Sequence, residues 1–430
     1  MAEPSAPPVA APVQPAPEQG VRLGILAPFH YRNFRFQWPA DVAASWAYEM
    51  ETIVLGWYVL VETQSVYLLT AFAAIQYIGT LFSPMFGVMG HRIGNKRLLC
   101  GMRGLYAVLA IVMTALTVTG ELTPLYVFIC TTMLGLVRPS DQVLRYALIG
   151  ETMPASYMLP AASISRTTQD SARIMGALLG AGLVAAFGMG SVYVVVASFY
   201  ALSFMLTLRV QGVRREAAEL DQSSPWRDLK EGVAYSWTTP QILAVMWLAL
   251  LVNLTAYPIT HGLLPYVAKD VLHTNQTGLG YLSAGFAVGA VIGAIAINHL
   301  SRVILPARCM VIFCAGWYVA LLMFSHMGGL APAVAAMVFT GCMQSLGMVA
   351  MSALLLRTAS GPLRSRVMGL RMLMIYGLPI GLMAAGPLIT LLGFHATVWL
   401  YCVSGIALTA YIAWRWRTHL WHRDAPANRR

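Results

Sequence analysis

Residues 87–97 read GVMGHRIGNKR, a short basic turn between two apolar runs at about 67–89 and 98–120. Each run is long enough for a helix to cross the roughly 30 Å hydrocarbon core of a bilayer. Gly87, Gly90 and Gly94 permit tight turning and close backbone approach. Arg92, Lys96 and Arg97 place the turn on the cytoplasmic side, where basic loops are retained. A basic hairpin joining two membrane-length runs is the pattern of a polytopic helical membrane protein.

Composition extends that reading to the whole chain. Of 430 residues, 58% are hydrophobic and only 10% charged, with a mean hydropathy of +0.66. That excludes an ordinary soluble domain. The net charge of +11 does not point to nucleic acid. The Arg residues fall in loops assigned inside or deep in the spans, while the outer loops carry one basic residue, Lys269. The six cysteines, Cys100, Cys130, Cys309, Cys314, Cys342 and Cys402, lie in apolar runs and read as free buried thiols.

Twelve spans follow, at about 37–61, 67–89, 98–119, 124–148, 158–187, 191–209, 241–268, 277–300, 308–327, 330–356, 367–392 and 395–415. The longest break in hydrophobicity, 211–239, divides them six and six. The expected organisation is a disordered cytoplasmic tail (1–30) and a six-helix bundle (31–210). A cytoplasmic linker with an amphipathic helix (211–239), a second bundle (240–417) and a cytoplasmic tail (418–430) follow. The halves show a weak repeat. Arg166 precedes Gly176 by ten residues in span 5, and Arg371 precedes Gly381 by ten in span 11. Both helices then enter small-residue stretches, GALLGAG (176–182) and GLMAAG (381–386), that allow close packing in lipid.

The turn at 87–97 resembles the G-x-x-x-D-R-x-G-R-K/R loop between the second and third helices of major facilitator superfamily (MFS) transporters. Gly87, Arg92, Gly94 and Lys96 stand in its places, and His91 replaces the acid. Phe34, Arg35, Trp38 and 55–57 (LGW) resemble the first span of the branch containing enterobactin exporters and drug:proton antiporters. WRDLKEGVAYSW (226–237) and RSRVMG (364–369) resemble that branch's segments before spans 7 and 11. The resemblance implies an all-α membrane fold of twelve helices in two six-helix pseudo-symmetric bundles around a central cavity. It also implies a gate at Gly87, His91, Arg92, Gly94 and Lys96, in which His91 weakens the lock or makes it pH-sensitive.

Ionisable residues inside a span cost roughly 2.5–3.5 kcal/mol on insertion scales, so they face partners or water. Span 1 carries Asp41, Glu49 and Glu51, the candidates for proton coupling. Asp41, Ser45, Tyr48 and Thr52 share one helical face, and Glu49 and Glu51 flank it on either side. The alternatives are an outer-interface location for Glu49 and Glu51, and a loop Arg partner for Asp41.

Span 4 aligns Arg138, Asp141 and Arg145, and span 5 aligns Arg166, Asp170 and Arg173. Two readings stay open for these stripes. They interlock, Asp141 with a span 5 Arg and Asp170 with a span 4 Arg, in a network that includes Arg145, Arg166, Asp170, Arg173 and Arg371. Or their arginines attract an anionic substrate. In MFS folds span 4 lines the cavity and span 5 is more peripheral, so Arg138 and Asp141 are cavity candidates. Tyr48, Asn253, Tyr257, His261 and Gln344 complete that set, and for His261 a satisfied core histidine is the competing reading.

The sequence contains no phosphate-binding loop, H-E-x-x-H, G-x-S-x-G or paired C-x-x-C pattern. An enzyme, a cofactor and a metal are therefore not expected. The expectation is secondary active transport in a bacterial inner membrane, both termini cytoplasmic, by a monomer. Its partners are a small-molecule substrate, protons and the lipid bilayer. Proton-coupled efflux of an amphipathic siderophore or drug is the first reading. An importer, a uniporter, a lysophospholipid flippase and a non-transporting scaffold or receptor are the rivals.

Overall fold

In a computed structural model of the chain, residues 26–82, 85–86, 89–90, 93–211, 225–300, 305–359 and 363–421 are described. Most of the two expected tails, and the linker up to 224, lie outside the described residues.

The described residues are helical throughout and contain no strand. Helix α1 (Arg32–Thr63) ends because Gln64 turns left-handed (φ 50°) and returns its N–H to the Leu60 carbonyl. Ser65 then caps α2 (Val66–Ile75), its hydroxyl accepting from the Leu68 N–H at 3.3 Å. A 3-10 turn at Ile78–Phe82 prolongs α2. Helix α3 (Asn95–Thr119) stops at Gly120, whose φ of 76° suits a residue without Cβ. Helix α4 (Pro124–Thr152) starts on proline, which has no N–H to leave unpaired. Helix α5 (Ala155–Arg209) is two spans in one, broken at Gly188 (φ 76°, ψ 175°), within the expected turn between spans 5 and 6.

The second half opens with the amphipathic α6 (Pro225–Thr238), bent 111° from α7 (Pro240–Thr255). Short turns continue α7 to Val271. Next come α8 (Gln276–Leu300), α9 (Pro306–Ser325) and α10 (Leu330–Thr358). Then α11 (Arg364–Leu373) runs through a 3-10 turn into α12 (Gly377–Leu392), and α13 (Phe394–Arg415) follows.

Among the described residues, seven helices are long and apolar enough to cross a membrane by length and composition. One of these is the doubled α5. The segments that fail the test are the interrupted α2 and α7, and the charge-bearing α1 and α4. Counting these, the described residues make twelve crossings, six in each half.

Each half has its own apolar core, one drawn from residues 47–210 and one from 242–420. In the second half α8 and α10 touch backbone to backbone. A Cβ at Gly289 would strike the Val338 carbonyl, and one at Gly341 would strike that of Phe286.

The halves meet along two seams. Gly280 of α8 lies against α5, where an added Cβ would be 2.6 Å from the Ala181 Cβ. Gly386 of α12 lies against α2, its would-be Cβ 2.6 Å from the Thr70 Oγ1. Ala73, Ala74, Leu378 and Leu382 continue the second seam as a small apolar cluster. At its end Lys269 donates to the Gln64 side-chain carbonyl at 2.7 Å.

Candidate functional site

The three span 1 acids of α1, Asp41, Glu49 and Glu51, diverge as their 100° spacing requires, and each finds a cation on a different helix. Asp41 pairs with Arg103 of α3 and lies 3.7 Å from Arg145 of α4. Arg103 also reaches Asp141 at 3.7 Å, and Arg145 pairs with Asp141 one turn away. Two acids and two bases thus form one neutral cluster. The Arg103 side chain is 0% exposed and the two aspartates 6% and 7%. Arg145 further donates to the Ser45 hydroxyl at 3.0 Å, and Gln37 donates to the Arg145 carbonyl at 3.0 Å.

Glu51 is sealed in the same half. It pairs with Arg138, and the Tyr200 hydroxyl donates to it at 3.0 Å. The Arg138 guanidinium stacks under the Tyr48 ring at 4.6 Å and also donates to the Tyr200 hydroxyl at 2.6 Å. Arg138 therefore lies behind Tyr48, off the cavity wall. Its position beside the buried Glu51 explains this, since a charge pair is less costly away from water than either charge alone.

Glu49 has the other outcome. It lies on the wall of a cavity of about 130 Å³ between the halves, 3.6 Å from Arg173 of α5. Both remain partly open, at 22% and 40% side-chain exposure. Tyr48, Gln76 and Tyr77 share the wall on this side, and His261 and Phe286 close it from the other half. Thr52 donates to the Gln76 side-chain carbonyl at 3.3 Å. The expected order of spans 4 and 5 is thus reversed at this level. Arg173 of span 5 borders the cavity because α5 packs against α1 through Gly176 and Gly180.

His261 packs edge-on to Tyr257, centroids 4.8 Å apart, and its Nδ1 lies 3.0 Å from the Thr260 hydroxyl. Tyr257 accepts from the Gln344 amide at 2.7 Å and stacks edge-on with the buried Trp317. Asn253 donates to the Ala249 carbonyl of its own helix at 2.8 Å and is buried. Arg371 donates to the Ser352 hydroxyl at 2.6 Å and to the Met348 carbonyl at 3.4 Å. The expected interlock of Asp141 with a span 5 arginine gives way to its pairing with Arg103 and Arg145. The side chain of Asp170 lies outside the described residues, as do Gly87, His91 and Arg92 of the gate. Gly94 precedes α3 with φ 99°, and Lys96 is in its first turn.

Arg103, Tyr200 and Tyr106 were not among the sequence candidates. A signal existed for Arg103, a lone arginine inside the run 98–120. The tyrosines carried none, because a tyrosine in an apolar helix is ordinary until an arginine stacks beside it; here Arg138 lies 5.8 Å from the Tyr106 ring.

The family model described as "Transmembrane secretion effector" (MFS_3) matches residues 23–429, nearly the whole chain. The chain belongs to that family of the major facilitator superfamily. It is a multi-pass membrane transporter and not an enzyme. Solved structures agree on the fold. The nucleoside transporter NupG has a TM-score of 0.69 at 14% identity, covering 91% of this chain and 100% of its own. A bacterial homolog of the human lysosomal transporter Spinster, inward-facing and unoccupied, gives 0.69 at 13%, covering 92% and 99%. A D-xylose–proton symporter gives 0.67 at 14%, covering 89% and 97%. No curated protein sequence matches the chain.

Proposed function

We propose that this transporter exports an amphipathic small organic molecule across a bacterial inner membrane in exchange for protons, with Glu49 as the proton site. One observation carries the reading: of the four acids on α1, Asp41, Glu49, Glu51 and Glu62, Glu49 alone lines the cavity between the halves. Asp41 and Glu51 are held in buried ion pairs, where protonation would strand Arg103 and Arg138. Glu49 has a partly exposed partner, Arg173, and faces the opposite half. A carboxylate in that position changes its surroundings when the halves rock, which is the requirement for exchanging a proton between the two facings.

The energy suffices. One proton moving down 100 mV supplies about 2.3 kcal/mol. Each unit of pH gradient adds about 1.4 kcal/mol. The description of the family as secretion effectors supports export, as does the likeness of 34–57 and 226–237 to exporters. With the basic loops inside, the end of the bundle away from Gln64 and Lys269 faces the cytoplasm.

The test uses everted vesicles with an imposed pH gradient and a panel of siderophores and amphipathic drugs. A transported compound dissipates the gradient in the wild type and fails to do so in Glu49→Gln. Unchanged dissipation in Glu49→Gln removes Glu49 from the mechanism. A panel member that is carried without moving protons removes the exchange.

A further inference from the structure

The cavity bordered by Glu49 is small. At about 130 Å³ it is on the scale of the roughly 150 Å³ cavity that accepts a benzene ring. Four aromatic residues line it, Tyr48 and Tyr77 from the first half and His261 and Phe286 from the second. Flat side chains on both sides suit a flat guest, because rings prefer offset or edge-on contact with other rings. One of the four offers more than a surface. His261 brings a polar ring to the wall across from the half that carries Glu49.

The hydrogen bonds around His261 decide which of its nitrogens carries the proton. The Thr260 hydroxyl donates to the Tyr257 main-chain carbonyl at 3.3 Å, and its oxygen lies 3.0 Å from His261 Nδ1. A hydroxyl has one hydrogen, and a carbonyl can only accept. With that hydrogen committed to Tyr257, the Thr260 oxygen accepts from Nδ1–H. The neutral ring then carries its lone pair on Nε2, at the end away from the backbone. Tyr257 and Phe286 pack edge-on to the ring, with centroids 4.8 and 5.7 Å away, and hold its orientation. Among the described residues no donor meets Nε2, and the atom stays open to the cavity. His326 shows the contrast. Its Nδ1 turns to the Leu322 carbonyl at 2.9 Å, and its Nε2 receives the Trp399 indole N–H at 3.4 Å. Both ends of His326 are engaged within the protein, whereas His261 keeps one end for a guest.

We propose that His261 Nε2 is the acceptor that selects the substrate, and that the substrate carries a phenol-type ring whose hydroxyl donates to it. The proposal rests on the reading of this cavity as the substrate's route. A phenol suits the site better than an amine. Arg173 borders the same space, and a protonated amine would set a second positive charge beside it, whereas a hydroxyl is neutral. The phenol oxygen also keeps lone pairs for a donor on the opposite wall, such as the Arg173 guanidinium. His261 belongs to the second half and Arg173 to the first, so a ring held by both lies across the interface that moves. A ring with no donor fills the same space but leaves Nε2 dry and unpaired, which is the basis of the selection.

The test follows thermal unfolding of the purified full chain in detergent against 4-ethylphenol and 1-ethyl-4-fluorobenzene. The fluoro compound keeps the size and flatness of the phenol and lacks its donor, so it also accounts for partition into the micelle. The expected result is a dose-dependent rise in unfolding temperature, with a midpoint concentration about tenfold or more lower for the phenol. In His261→Phe, which keeps a ring without an acceptor, the two compounds should share one midpoint. His261→Gln, whose amide oxygen accepts, should restore part of the preference. Equal midpoints in the wild type overturn the proposal whatever the variants do, as does a wild type that responds to neither compound. So does a preference for the phenol that survives in His261→Phe. The readout involves no proton movement, so its failure leaves exchange through Glu49 standing, and failure of the vesicle experiment leaves selection by His261 standing.

Discussion

Replacing Arg103 with methionine tests the buried cluster of Asp41, Arg103, Asp141 and Arg145. The wild-type cluster is neutral, with Arg103 and Asp141 3.7 Å apart and Arg145 and Asp41 at the same distance. Unit charges at about 4 Å attract by about 4 kcal/mol at an effective dielectric of 20. Arg103→Met removes the contacts to both aspartates and leaves two buried carboxylates sharing one arginine. Desolvation of the lost charge offsets part of this, and breaking a buried pair from one side costs about 3–5 kcal/mol net. Asp41→Asn strands a positive charge instead and should cost a comparable amount. The double variant keeps Asp141 with Arg145 and is neutral again, so it should lose about 1–3 kcal/mol less than the sum of the single changes. Unfolding of the purified protein by sodium dodecyl sulfate, followed by circular dichroism, supplies all four corners of the cycle. A cost below about 1 kcal/mol for Arg103→Met, or additivity within about 0.5 kcal/mol, would refute a cluster held by charge.

Three further outcomes follow. Glu51→Gln leaves Arg138 without its acid and should lower the yield of folded protein, whereas Glu49→Gln should fold normally; equal yields on size exclusion contradict the division between sealed and cavity-facing acids. Gly280→Leu places its Cβ within 2.6 Å of Ala181 and 3.1 Å of the Ala177 carbonyl, and this overpacking should cost about 1–3 kcal/mol of stability. An unchanged unfolding midpoint would show that α5 and α8 do not touch there. The cysteines are free, and only Cys342 escapes full burial, so a bulky maleimide should label at most one thiol rapidly in the native protein and six after denaturation. Fast labelling of several native thiols would contradict the core packing.

The helices were legible because apolar length is a one-dimensional property. The break at Gly188 lies inside the gap expected between 187 and 191, and the amphipathic stretch 226–237 is α6. The directions of the α1 acids were legible too, since 100° per residue separates Glu49 from Glu51 whatever surrounds them. What each acid meets was not. Periodicity identifies a face, while the partner depends on which helix packs against it. Asp141 and the span 5 arginines looked complementary by sign and spacing, yet α3 inserts Arg103 between α1 and α4.

The order in which the chain is synthesised gives the α1 pairings a further consequence. Asp41 meets its cation 62 residues later and Glu51 waits 87. Glu49 reaches forward to Arg173, in the fifth crossing. A nascent chain paused after its first hydrophobic segment therefore exposes Asp41, Glu49 and Glu51 before the arginines they pair with are made. The first helix should be retained beside the insertion machinery, or tilt its acids toward the surface, until the third, fourth and fifth crossings arrive to neutralise it one carboxylate at a time.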